Sequence, residues 1–362
     1  MSRLFSTFRL RDLSFRNRVF IPPMCQYSSQ DGFPTHWHLV HAGARAVGGA
    51  ACFIQEATAV TPDGRISPAD AGIWNDAQAA SYMPINRFLE ENGCVPGIQL
   101  AHAGRKASTS PPWFGTKPVP EAEGGWPVVG PSPLPFSASA KVPRELRLPE
   151  IAHIIEAFKA AAIRALAAGF KVAEVHAAHG YLLHEFLSPL SNARKDAYGG
   201  SFENRTRLTI EVCKAVREIW PQHLPVFARI SATDWTDGGW GLPDSIVLCR
   251  MLREIGIDLI DVSTGGNVPG ARIPVERNYQ TRFAGAIRTE ASIPTGAVGL
   301  IIDARQAEDI LRRGEADVVL VGRAALRDPN WPNNAARALE TDPNWPNPYA
   351  RVSELEPHER GV

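Results

Sequence analysis

The run EVHAAHGYLLHEF, residues 174–186, sets His176 and His179 three residues apart, with Tyr181 two positions further on. Three chemistries are open to such a set. Two imidazoles can ligate a metal, although a catalytic zinc usually takes three protein ligands. Two imidazole N–H groups can instead converge on one oxygen and stabilise the charge that develops there, with a phenol beside them as general acid. The third option is a polar loop with no chemistry. The other histidines are His36, His38, His41, His102, His153, His184, His223 and His358. Only His102 stands at the end of an apolar run, and Glu56 and Glu174 lie inside such runs. No metal is therefore expected, and the pair reads as an electrophilic clamp.

Other polar and glycine positions end apolar runs in the same manner. PPMCQY offers Cys25 and Tyr27, EAT follows Gln55, and IQLAHAGRK offers Gln99, His102, Arg105 and Lys106. Arg229 lies within VFARIS, STGG covers 263–266, and Gly299 and Gly322-Arg323 close the last two runs. Backbone N–H groups exposed by two glycine turns beside an arginine describe a phosphate site of the kind barrels build in their last two loops. Tight turns with a solvated Arg323 are the plainer alternative. An arginine buried in a strand needs an anion, because an uncompensated charge there costs several kcal/mol. An internal ion pair meets that need for Arg229, and so does a cofactor that becomes anionic on reduction.

Eight short runs rich in branched residues carry these positions: 18–24, 51–60, 95–104, 171–180, 225–235, 258–266, 294–300 and 316–326. Helical stretches fill the gaps, most clearly at 75–92, 150–168, 203–219, 243–255 and 303–313, the last closed by Gly314. Near-continuous apolarity suits strands buried on both faces, and intervening helices suit parallel pairing. Eight units in 362 residues predict an α/β fold, a closed (β/α)8 barrel with a short N-terminal cap. An open doubly wound sheet would be expected to carry an early G-x-G-x-x-G, which this chain lacks. The reading is one unit over residues 1–340, with a tail at 341–362. Residues 105–148 break the rhythm, crowded with Pro and Gly. A loop of that length in a compact domain is usually functional, and Trp113, Phe114 and Trp126 point to a packed lid.

Bulk properties narrow the partners. Lys plus Arg number 38 and Asp plus Glu number 38, so no global field draws the chain to nucleic acid or acidic lipid. Five cysteines, at 25, 52, 94, 213 and 249, form no close pair, which points to reduced thiols. No run reads as a signal peptide or a membrane span. A cytoplasmic protein is expected.

Taken together, PPMCQYS, EATAV, IQLAHAGRKAS, HAAHGYLLHEFLSPLSNARKDAYGGSFENR, TGAVGLI and ADVVLVGRAAL resemble the Old Yellow Enzyme family of flavin-dependent ene-reductases. The resemblance is greatest to its bacterial branch of xenobiotic-reductase and thermophilic-like members, which the cysteine of PPMCQY marks. It implies non-covalent FMN at the barrel mouth, reduced by NADPH or NADH in a ping-pong reaction. Hydride then passes to the β-carbon of an activated alkene such as an enone, enal, maleimide or nitroalkene. By motif, Pro22, Pro23, Met24, Cys25, Ala57 and Gln99 would line the flavin, and Cys25 would tune its potential. Arg229 would face the edge that gains charge, while Gly299, Gly322 and Arg323 would hold the phosphate. His176 and His179 would bind the substrate oxygen, Tyr27 would add a hydrogen bond, Tyr181 would supply the α-proton, and Lys106 would lie in the same region. Val298 stands where some relatives have tryptophan, which implies a wider pocket. NPYARV resembles a tail in which Arg351, with Tyr349 beside it, completes a neighbouring subunit's site in a homodimer or homotetramer. Two alternatives remain: a metal-dependent barrel hydrolase or lyase using His176 and His179, and a non-catalytic flavin-binding protein.

Overall fold

The computed structural model describes residues 2–353. Eight parallel strands close a barrel: β3 (Val19–Ile21), β4 (Cys52–Ala59), β5 (Val95–Ala101), β8 (Val172–Ala177), β9 (Val226–Ser231), β10 (Leu259–Ser263), β11 (Thr295–Ala297) and β12 (Val318–Leu320). Each lies inside one of the eight predicted runs. The ring closes where Val319 of β12 pairs with Val19 of β3. Almost every strand residue is buried, because helices cover the outer face and side chains fill the inside. The covering helices are α1 (His36–Val47), α2 (Asp76–Glu91), α3 (Leu148–Ala167), α5 (Phe202–Ile219), α6 (Leu242–Glu254), α7 (Thr281–Glu290) and α8 (Ala304–Arg312). Shorter helices α4 (Leu182–Leu187), α9 (Arg323–Arg327) and α10 (Trp331–Ala338) follow strands β8 and β12. Caps set the starts where the sequence placed them: the Asn75 side chain accepts from the Gln78 N–H, and Ser201 from Asn204.

The N-terminal cap is a hairpin of β1 (Phe8–Leu10) and β2 (Leu13–Phe15). It lies across the end of the barrel where the strands begin. Phe15 meets Phe20 of β3 at 4.8 Å between ring centroids, and Phe20 stacks on Phe227 of β9 at 6.4 Å. With Leu10, Val172, Leu259 and Val318 they form a buried apolar floor.

The excursion between β5 and α3 contains short 3-10 turns and a two-residue parallel pair of β6 (Val129–Gly130) and β7 (Arg144–Glu145). Lys141 Nζ fastens it by donating to Ser108 Oγ and to the Trp126 carbonyl, both at 3.0 Å. Trp126 donates in turn to the Asp63 carbonyl and receives the Arg65 guanidinium on its ring. The expectation that its aromatics pack is wrong for two of them: Trp113 and Phe114 are 62% and 66% exposed. Their turn closes its own hydrogen bonds, from Phe114 N–H to Pro111 O and Gly115 N–H to Pro112 O, and so keeps its shape without a core. No helix among the described residues is long and apolar enough to cross a membrane.

Candidate active site

The strand ends bring the predicted residues to one face in two connected regions. The first is a cavity of about 230 Å³ lined by Pro22, Pro23 and Met24 after β3, Arg229 on β9, Val298 and Gly299 after β11, and Gly322 and Arg323 after β12. Leu300, Ile301, Ile302 and Leu320 complete an apolar bed. Gly299 sits at φ +126°, and a Cβ there would come within 3.1 Å of Tyr279 and Gln280, so a side chain would strain the turn. No hydrogen bond among the described residues uses the backbone N–H of Gly322 or Arg323. The bed is largely apolar and flanked by two arginines, with no carboxylate in its lining. That donor set fits a planar ring that carries a phosphate.

Ala57 and Gln99, expected against the same ring, do not line this cavity. Ala57 packs with Cys25, Tyr27 and Tyr181. Gln99 points into the barrel and donates to Glu174 Oε1 at 2.8 Å. Arg229 satisfies both expectations at once. It lines the cavity, and its Nε lies 3.1 Å from Asp261 Oδ2 on the neighbouring strand. Yet Arg229 Nε, both Asp261 oxygens and Glu174 Oε2 are buried without a well-aligned hydrogen bond. Burial first, and then the charge of Asp261, pushes Glu174 up to about 8 against the pull of Arg229 and Gln99. Burial likewise lifts Asp261, to about 6.

The second region is the histidine pair. The rings of His176 and His179 meet edge-on at 5.2 Å, and Tyr181 stands 5.2 Å from His176. His176 is the next-to-last residue of β8, while His179 turns back with φ +60°, held by its N–H donating to Ser231 Oγ at 2.9 Å. Such a backbone in a non-glycine residue costs about 1–3 kcal/mol and persists only when neighbours fix it. Gly180 allows the turn, since a Cβ there would lie 2.3 Å from Gly266 O. Its N–H donates to His184 Nδ1, and His184 Nε2 faces Asp234 at 3.0 Å. His179 Nε2 lies 2.8 Å from Ser263 Oγ. The His176 ring makes no hydrogen bond among the described residues, and its Nδ1 is buried and unpartnered.

Burial, then Arg229 and other nearby cationic groups, holds both imidazoles well below their ordinary value, so both are neutral at pH 7. Burial keeps the Tyr181 and Tyr27 phenols protonated. Burial, then Asp70 and Glu56, pushes the Cys25 thiol up, so it is no thiolate. Lys106 donates to the carbonyls of His179 and Gly266 at 2.8 and 2.9 Å, and its ammonium lies over Tyr181 at 5.0 Å. Glu56, read from the sequence as lying inside an apolar run, ties down the loop of Cys25. It accepts from the Gln26 N–H at 2.7 Å and pairs with His38 at 3.0 Å. Asp261, Asp234 and Gln280 were not singled out from the sequence, and only contacts across the barrel reveal them.

Arg351 is not brought to its own chain's mouth. It is exposed on the 3-10 turn Asn347–Ser353. The segment before it, residues 344–348, lies against the C-terminal ends of α1 and α2, on the floor side.

A parallel barrel whose mouth joins an apolar bed, two arginines and a neutral imidazole pair is a cofactor-dependent barrel enzyme. Comparison with known proteins specifies it. The profile of the NADH:flavin oxidoreductase / NADH oxidase family matches residues 3–342. NADPH dehydrogenase of Geobacillus thermodenitrificans is 47% identical over 338 residues, covering 93% of this chain and 94% of the relative. Morphinone reductase, solved in complex with tetrahydroNAD, has a TM-score of 0.78 at 28% identity, covering 99% of each chain. The Old Yellow Enzyme homologue from Zymomonas mobilis has a TM-score of 0.77 at 26% identity, covering 94% of this chain and 96% of that one. The chain belongs to the NADH:flavin oxidoreductase / NADH oxidase family, with Old Yellow Enzyme proteins among its structural relatives. It is an oxidoreductase whose cofactor is FMN and whose electron donor is NAD(P)H.

Proposed function

We propose that this oxidoreductase is an ene-reductase that saturates activated alkenes such as enones, enals, maleimides and nitroalkenes. The observation that carries the reading is the neutral, buried pair His176 and His179 beside a protonated Tyr181. When bound, FMN supplies hydride chemistry, accepting from NAD(P)H and delivering to the β-carbon. The apolar bed of Pro22, Pro23 and Met24 would hold its ring, with Cys25 and Ala57 beside Tyr27 and Tyr181, and Gln99 would reach it only by leaving Glu174. Gly299, Gly322 and Arg323 would hold its phosphate, and Arg229 would face the ring edge that gains charge.

The two imidazoles each offer one N–H to the substrate's carbonyl or nitro oxygen and stabilise the charge that gathers there. The clamp requires the His179 proton on Nδ1, with the single Ser263 hydroxyl hydrogen turned to Nε2 at 2.8 Å and not to Gln280 Oε1 at 3.2 Å. Tyr27 adds a donor, and Tyr181 gives its phenolic proton to the α-carbon as the β-carbon takes the hydride. Burial makes Tyr181 a reluctant acid, suited to a strongly basic carbon and not to water. Cys25, as a thiol, would shift the cofactor's potential without ionising. Arg351 would complete a site only in a second copy, in a homodimer or a larger assembly.

The test is direct. Anaerobic holoenzyme reduced by NADPH should be reoxidised by cyclohexenone, with saturated ketone as product. A reduced flavin that the enone leaves untouched would sink the proposal.

A further inference from the structure

A second chamber, of about 320 Å³, opens off the mouth beneath the excursion. Tyr27 and Tyr181 belong both to it and to the reaction centre. Its lining holds three cations, Arg105, Lys106 and Lys141, and no Asp or Glu, in a chain with equal numbers of the two signs. The hydrogen bonds sharpen that asymmetry. Lys106 gives two N–H groups to carbonyls, and Lys141 gives two to Ser108 Oγ and the Trp126 carbonyl. An ammonium has three, so each keeps one with no acceptor among the described residues. The Arg105 guanidinium donates to the Leu134 carbonyl and to Asn267. The carboxyl beside it, Glu185, is lifted by burial to about 8 and is mostly uncharged at neutral pH. Tethering explains two N–H groups of each lysine but not the missing counter-charge. Phe136 and Tyr181 flank Lys106 at 4.6 and 5.0 Å, which keeps that charge in an apolar wall.

We propose that this chamber is an anion subsite, taking a carboxylate or phosphate carried by the molecule whose reacting end lies against His176 and His179, with Lys106 and Lys141 as its counter-charges. The proposal rests on the ene-reductase geometry above. The hydroxyls of Ser137 and Ser139 on the excursion wall, bonded to each other at 3.3 Å, leave one further hydroxyl hydrogen to donate. Burial lowers Lys106 to about 8, so anion affinity falls as pH rises through that value.

The experiment titrates flavin-loaded holoenzyme with 4-hydroxybenzoate and with its uncharged analogue 4-hydroxybenzamide, read as the change in flavin absorbance. The ratio of the two dissociation constants is the measure. Lys141→Gln should lower the preference for the carboxylate about tenfold, the effect of one half-buried charge. Ser139→Asp, on the exposed lip, should lower it as well without loosening the loop. An unchanged ratio in both variants overturns the subsite. If neither ligand perturbs the flavin in the native protein, the histidine-pair geometry itself fails, and the subsite with it. A second arm separates two sources of the anion by stopped-flow reduction with NADPH and NADH. A half-saturating concentration raised by Lys141→Gln for NADPH alone assigns the subsite to the nucleotide's extra phosphate. A loss confined to the carboxylate ligand assigns it to the acceptor.

Discussion

The two ends of the barrel are built from opposite materials. At the floor, Phe8, Phe15, Phe20 and Phe227 pack ring against ring, with the Arg18 guanidinium laid over Phe8 at 4.9 Å. At the mouth, the interior row of Gln99, Glu174, Arg229 and Asp261 leaves four buried polar atoms without a well-aligned partner, and His179 holds a left-handed backbone. Unsatisfied groups and strain cost stability, so the apolar end must offset what the reactive end gives up. One end is built to stay put and the other to accept something.

Mutations can break that division. The largest effect should come from Phe20→Ala, which removes the ring at the centre of the floor and costs about 3–5 kcal/mol of stability. Thermal denaturation would show it, while ligand affinity at the mouth should hold at temperatures where the protein stays folded. Replacing both His176 and His179 with Ala should do the reverse. Transition-state stabilisation falls by about 2–4 kcal/mol for carbonyl acceptors, read as kcat/KM, with Tm little changed or raised. Activity retained in that double variant would refute the clamp.

Glu174 gives a pH signature. Its folded value of about 8 lies above the ordinary 4.5, so between them the folded state keeps a proton that the unfolded chain has released. Stability therefore falls as pH rises through that window. Glu174→Gln should flatten the decline of Tm between about pH 5 and pH 8, and an unaltered slope would assign the decline to other groups such as Glu185. The smallest effect is expected from Ser263→Ala. It removes the hydroxyl that stands between His179 Nε2 and Gln280 Oε1 and should cost about 1 kcal/mol in kcat/KM for carbonyl acceptors.

The barrel was legible because its strands are buried on both faces and so read as unbroken apolar runs. The floor hairpin was not delineated, since FRL and LSF are three residues each and carry no period long enough to register. Helix α1 was equally quiet, as HWHLVHAGARAV opens on two histidines and a tryptophan, which lack strong helix preference. Among site residues, those at or near strand ends announced themselves by type, Cys25, His176, Gly299 and Arg323, and Arg229 did so as a charge inside an apolar strand. Their fasteners did not. Asp261 meets Arg229 from another strand, Ser263 meets His179 across 84 positions, and Asp234 reaches His184 across 50. Such partners follow from register, which no local pattern encodes. The exposure of Trp113 and Phe114 was misread for a related reason: a loop that satisfies its own backbone need not bury its aromatics.

The aromatic plug also governs traffic. With the far end filled by packed rings, a reactant can reach the barrel only from the mouth. On the proposed reading donor and acceptor would then pass one doorway, and an excess of either should slow the turnover of the other.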